Sequence, residues 1–117
     1  MKHHKKGRTL GRKKGQRTAL LRSLALSLVL HEKITTTVAR AKELRPFIEE
    51  MVTRSKRVDV ASRRFVLARL GNSAAATKKM HDTFATRYAS RAGGYTRIVK
   101  LGPVGKRAVD SAIIEFV

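Results

Sequence analysis

The amino-acid sequence predicts a two-layer α+β domain, a small three-stranded sheet packed by about four helices, preceded by an extended basic arm. Three observations predict it. Apolar residues recur at spacings of three and four through most of residues 19–88, the period of a helix face. Three shorter stretches, 33–38, 95–101 and 108–117, are β-branched or alternate apolar with polar, as strands do. The first 17 residues have almost nothing to bury.

The arm, residues 1–17, reads "MKHHKKGRTLGRKKGQR". Gly7, Gly11 and Gly15 recur every four residues and disfavour a helix, so the segment is expected to be extended and to order on its ligand. Residues 18–117 are expected to form one domain. In its first helix Leu20, Leu21, Leu24, Ala25 and Leu28 fit one face, and the helix should stop near Leu30. "KITTTV" (33–38) follows as a short strand. Thr36 or Thr37 is the candidate cap of a second helix, in which Val38, Ala41, Leu44, Ile48, Met51 and Val52 form the apolar stripe. Pro46 lies inside that run and should kink or divide it.

Asp59 is the candidate cap of a third helix with apolar Phe65, Val66, Leu67, Ala68 and Leu70, stopped by Gly71-Asn72. Ser73 is the candidate cap of a fourth, with Thr77, Met80, Phe84 and Tyr88 on one stripe. Gly93-Gly94 ends it. Tyr95–Leu101 and Ala108–Val117 then read as two strands of a hairpin, joined by a long loop containing "GPVGKR".

Charge narrows the functional classes. Lys and Arg total 27 against 8 Asp and Glu, a formal net charge of +19 in 117 residues. Residues 1–31 hold nine of the basic residues and no acid. A compact chain so charged repels itself unless a polyanion neutralises it. The absence of cysteine excludes disulfides and thiolate metal sites. No apolar run approaches the roughly 18 residues of a bilayer span, and Ala19–Leu30, broken by Arg22 and serines, does not read as a signal peptide. A cytoplasmic protein without membrane partners is expected.

Catalytic and cofactor motifs fail on spacing. His31-Glu32 begins like a zinc-protease motif, but Thr35 stands where the second histidine is needed. "GPVGK" (102–106) has two residues between its glycines where a phosphate loop has four, and Arg107 follows in place of Ser or Thr. The histidines lack metal-ligand spacing. Glu49 and Glu50 are adjacent on a helix, diverge, and read as solvated. No enzyme activity and no cofactor are expected.

Binding signals are denser. Arginine donates paired hydrogen bonds from a planar fork that suits phosphate. The candidate RNA-binding residues begin with Lys2, His3, Lys5, Lys6, Arg8, Arg12, Lys13, Lys14 and Arg17 in the arm. Arg22 follows on the first helix, and Arg40, Lys42 and Arg45 on the second. "SRAGGYTRI" (90–98) combines Arg91, Gly93, Gly94, Tyr95 and Arg97, a place where backbone can approach a ligand, a ring can stack and guanidiniums can clamp. Tyr88 reads as core, whereas Tyr95 reads equally as core or as a stacking surface. These features suit DNA phosphates as well as RNA, so a nucleoid-type DNA-binding protein is the alternative.

Several segments also carry a resemblance. "GRTLGR" (7–12), Arg17, Ala19, "SLVLHEKITTT" (27–37), "AKELR" (41–45), "SRAGGYTRI" (90–98) and "AIIEFV" (112–117) stand in the order found in the family of the seventeenth protein of the bacterial large ribosomal subunit. The chain resembles that family nearly end to end. The resemblance implies an α+β fold with a small mixed sheet and a structural role without catalysis. It further implies binding to large-subunit ribosomal RNA, among neighbouring large-subunit proteins near the exit side of the subunit.

Overall fold

The computed structural model describes residues 13–104 and 109–117. The elements run α1 (Lys14–His31), β1 (Lys33–Thr37), α2 (Val38–Ser55), α3 (Val60–Arg69), α4 (Ala74–Lys79), a π-helical turn (Met80–Phe84), α5 (Ala85–Arg87), β2 (Thr96–Val104) and β3 (Val109–Phe116). The α+β class and the three strands are as the sequence predicts. The sheet order is β1-β3-β2, and both pairings are antiparallel. The sheet is therefore antiparallel, not mixed: β2 and β3 form a hairpin, and β1 joins the far side of β3.

Alternation in the strands decides which face is covered. Ile34, Ile114 and Ile98 stand side by side across the three strands. With Ala112 and Phe116 they turn toward the helices. α2 lies across this face and touches all three strands, while α1 packs against α2, α4 and β1. Ala41, Leu44, Ile48, Met51 and Val52 of α2 are fully buried or nearly so, the stripe that their spacing predicts.

The predicted caps form. The Thr37 hydroxyl accepts from the Arg40 N–H at 3.2 Å, the Asp59 carboxylate from Ser62 at 2.7 Å, and the Ser73 hydroxyl from Ala76 at 3.2 Å. Each satisfies a first-turn donor that the helix itself cannot. Gly71 and Asn72 both take the left-handed conformation that ends α3.

Several local expectations are corrected. Pro46 does not divide α2, which is continuous from Val38 to Ser55. Pro46 and Lys42 both lie on its exposed face, so water can satisfy the Lys42 carbonyl that loses its donor. α1 begins at Lys14, so residues 14–17 are helical instead of extended. Gly15 falls in the first turn, and the Gln16 side chain reaches back to the Lys13 N–H at 3.4 Å. The remainder of the expected arm, 1–12, lies outside the described residues. β2 runs to Val104, so Gly102 and Pro103 belong to a strand and not to a long loop. A bulge at Leu101 absorbs the change of register.

The π-helical turn was not legible. The buried row is Ala76, Met80, Phe84 and Tyr88, with Ala76 in place of the expected Thr77, which is half-buried, and its members recur at intervals of four. On an α-helix that spacing drifts by about 40° per step. One wider turn, closed by the Ala85 N–H on the Met80 carbonyl, brings the row back to the core. There Phe84 stacks on Phe116 with ring centres 4.1 Å apart. Tyr88 meets Tyr95 at 5.1 Å and donates to the Val117 carbonyl at 2.6 Å.

Candidate nucleic-acid interface

The "SRAGGYTRI" segment becomes the connection from α5 into β2, and it is fastened to α2 by one carboxylate. Glu49 accepts from the Gly94 N–H at 3.0 Å, from the Thr96 N–H at 3.1 Å and from the Thr96 hydroxyl at 2.7 Å. The backbone of Gly94 turns through φ +63° to make this possible. Glu49 is thus an internal clamp, not the solvated acid that its sequence position suggests. Its side chain is only 20% exposed.

Arg45, one helical turn before Glu49, completes the clamp. Its Nε stands 3.7 Å from the Glu49 carboxylate and its Nη2 donates to the Thr96 carbonyl at 3.3 Å. Lys56 fastens the other end of the segment by donating to the Arg91 carbonyl and to the Tyr95 hydroxyl at 3.0 Å. Arg91 folds back onto the Gly93 carbonyl at 3.2 Å. Arg97 pairs with Glu115 across the β2–β3 hairpin at 2.7 Å, with its side chain 61% exposed. The surface around Gly93 and Gly94 therefore gathers Arg45, Arg91 and Arg97, all exposed, with Lys56 beneath.

Tyr95 is the principal correction. It is completely buried, so its ring cannot stack on a base. The hydroxyl sits with Thr53 at 3.1 Å and with Lys56. Burial pushes the phenol pKa up, but the hydrogen bonds from Lys56 and Thr53 outweigh it and hold the group below its ordinary value. Tyr95 precedes β2, which begins at Thr96, so strand alternation does not set its side: Thr96 stands opposite Phe116 on the core face, and Tyr95 next to it is buried as well.

The other candidates are distributed. Lys2, His3, Lys5, Lys6, Arg8 and Arg12 lie outside the described residues. Lys13 and Lys14 are exposed at the start of α1, and Arg17 is half-buried one turn on. Arg40 is half-buried and Lys42 exposed near the start of α2. Arg22 faces away toward α3. Lys56 carries no signal in the sequence, and Glu49 reads there only as a solvated acid. The spacing of Arg45 and Glu49 was the available signal for Glu49, because residues four apart share a helix face.

Comparison with known proteins follows the same lines. The family described as Ribosomal protein L17 matches residues 20–117. A relative from Sphingopyxis alaskensis, named large ribosomal subunit protein bL17, is 50% identical over 117 residues, which is all of this chain and 84% of the relative. One of the same name from Pelobacter propionicus is 48% identical over the whole chain and 91% of its own length. A third, from Mesorhizobium japonicum, is 45% identical over the whole chain and 81% of its own. With the family matched across all of the α+β domain but its first residues, and relatives aligned over the whole of this chain, the chain belongs to the ribosomal protein L17 family.

Proposed function

We propose that the chain is a structural component of the large ribosomal subunit that binds its ribosomal RNA. It does so through the basic N-terminal segment and through arginine-bearing surfaces of the folded domain, and it sits among neighbouring large-subunit proteins of the cytoplasmic ribosome. The relatives named above carry the large subunit in their names, and the chemistry of this chain suits the same place.

The observation that supports it best is the charge left over after folding. Of the 8 acids set against 27 Lys and Arg, Glu32, Glu49, Glu50 and Glu115 already lie beside basic side chains of the same fold. Asp59 is taken up as a helix cap. Internal pairing cannot neutralise the chain, and a phosphate backbone can. Arg45, Arg91 and Arg97 would address RNA from the clamped loop. Tyr95 is withdrawn from that list, and Gly93-Gly94 acts by shaping the loop. The role requires no catalysis, and no helix among the described residues is long and apolar enough to cross a membrane.

The test is a salt series with fragments of large-subunit ribosomal RNA. Log K should fall linearly with log salt, by about 0.7–0.9 per phosphate contact. Removing residues 1–12 should flatten the slope without altering the melting temperature. RNA binding that is insensitive to salt contradicts the proposal.

A further inference from the structure

A second basic feature lies away from the clamped loop. Thr18, Leu21 and Arg22 of α1, Phe47 of α2 and Arg69 of α3 line a cavity of about 370 Å³. No carboxylate is among these residues.

Both arginines are held in place. A Cβ on Gly71 would stand 3.0 Å from the Arg22 Cδ, and Gly71 has φ +63°. A residue without a side chain is what lets the Arg22 stem pass the end of α3. The Arg22 Nε is closed off from solvent and has no hydrogen-bond partner among the described residues. The Arg69 guanidinium rests 4.7 Å from the Phe65 ring centre and 5.9 Å from that of Phe47, and Arg54 rests on Phe65 at 4.3 Å. Aromatic rings orient a guanidinium but leave its charge in place.

Two fixed cations lining one cavity repel each other unless an anion lies between them. A buried donor without an acceptor adds a further cost, and an anion that draws the guanidinium toward it offsets both. The rest of the lining, Phe47 and Leu21, is apolar. Both tyrosines, Phe84 and Phe116 are in the core, so Phe47 and Phe65 are the aromatic rings left near the surface, and both lie beside arginine.

The geometry points to a nucleotide subsite: a phosphate of single-stranded RNA between Arg22 and Arg69, its ribose or base against Phe47 and Leu21. Guanidinium forks match phosphate oxygens, and a ring with an arginine plane is how unstacked bases are held. An acidic peptide would satisfy the charge but leave the ring without a planar partner. The cavity is also next in sequence to the basic segment, since Thr18 is one helical turn from Lys14. This inference rests on the RNA-binding reading above and assigns it a particular place.

The full chain, with arginine Nε labelled for NMR, is titrated with a short single-stranded oligoribonucleotide of mixed sequence. Parallel titrations use inorganic phosphate and a poly-glutamate peptide at matched ionic strength. Arg22→Met and Arg69→Met keep an apolar stem and remove the fork, and each should flatten the log K against log salt slope by about 0.7. Arg22→Lys and Arg69→Lys, which disturb packing less, should keep most of the slope and weaken RNA binding several-fold. RNA should shift the Arg22 and Arg69 signals at concentrations where phosphate and peptide do not. If wild-type protein binds RNA but all four variants match it across the salt series, the subsite is wrong and the RNA-binding reading stands. If wild-type protein does not bind RNA, both are wrong. Equal shifts with phosphate indicate a simple ion site, and equal shifts with the peptide indicate a protein partner; either result overturns the nucleotide assignment.

Discussion

The Glu49 carboxylate holds Thr96 twice, by its hydroxyl at 2.7 Å and by its backbone N–H at 3.1 Å. The same side chain takes the Gly94 N–H. One acid of α2 thereby fixes both the turn before β2 and the first residue of the strand. Amides that an external phosphate would otherwise seek are satisfied from within, and the arginines around them are left to face outward.

Glu49→Gln tests the clamp. The amide offers one acceptor oxygen where the carboxylate uses two, and its NH₂ group meets donors. Leaving one or two N–H groups unsatisfied should destabilise the domain by about 1–3 kcal/mol. Amide exchange at Gly94 and Thr96 should accelerate more than exchange in α2. Unchanged exchange at those two positions would show that the loop is held by something else.

The two glycines of the turn should behave differently. Gly94 has φ +63°, which a β-branched side chain resists, although a Cβ there would meet open space. Gly94→Val should therefore cost about 1–3 kcal/mol through backbone strain alone. Gly93 needs no positive φ, and a Cβ added to it would meet no atom within 4 Å. It should accept Ala within about 0.5 kcal/mol. Chemical denaturation of the pair measures the difference.

Tyr95→Phe separates core from interface. It removes the hydroxyl from Thr53 and Lys56, at about 0.5–1.5 kcal/mol for each hydrogen bond lost. It should leave the salt dependence of RNA binding as it is, because the ring is enclosed. A loss of RNA affinity in a variant that melts normally would restore Tyr95 to the interface.

Phe84 sits in the aromatic cluster with Phe116 and Tyr88. Phe84→Ala should destabilise the domain by about 3–5 kcal/mol. An unchanged melting temperature would show that the row through the π-helical turn is not packed as described.

Acid should weaken the junction of α1 and β1. Glu32 caps α1 in the left-handed region and meets Arg87 at 2.8 Å and Lys79 at 3.3 Å. The Arg87 hydrogen bond is the main reason its carboxyl lies below the ordinary value. A depressed folded-state pKa means that this stability is fully present above the unfolded value of about 4.3 and is lost as pH falls through the folded value. Glu32→Gln should therefore show a shallower loss of stability on acidification than wild type, measured by melting temperature against pH.

The elements were legible because their signals are local. Thr37, Asp59 and Ser73 cap helices with their own side chains, and the α2 stripe repeats at one period over four turns. What was not legible depends on partners distant in sequence. Glu49 reads as one of two adjacent surface acids until β2 brings Thr96, 47 residues later, to it. Tyr95 is equally at home inside or outside until Thr53 and Lys56 claim its hydroxyl. Arg22 and Arg69 share a cavity only because α3 packs on α2 and its end reaches the Arg22 side chain at Gly71. The antiparallel sheet likewise follows from β1 pairing with β3, a contact between the two ends of the domain.

As a structural component of the large ribosomal subunit, the chain should be present in it in stoichiometric amount. Gradient sedimentation of a cell lysate under moderate salt, with the chain quantified in every fraction, tests it most directly. About one copy per large subunit is expected, none tracking with the nucleoid, and release only when the salt is raised. A chain that sediments with DNA, or that sits at the top of the gradient while large subunits are intact, would contradict it.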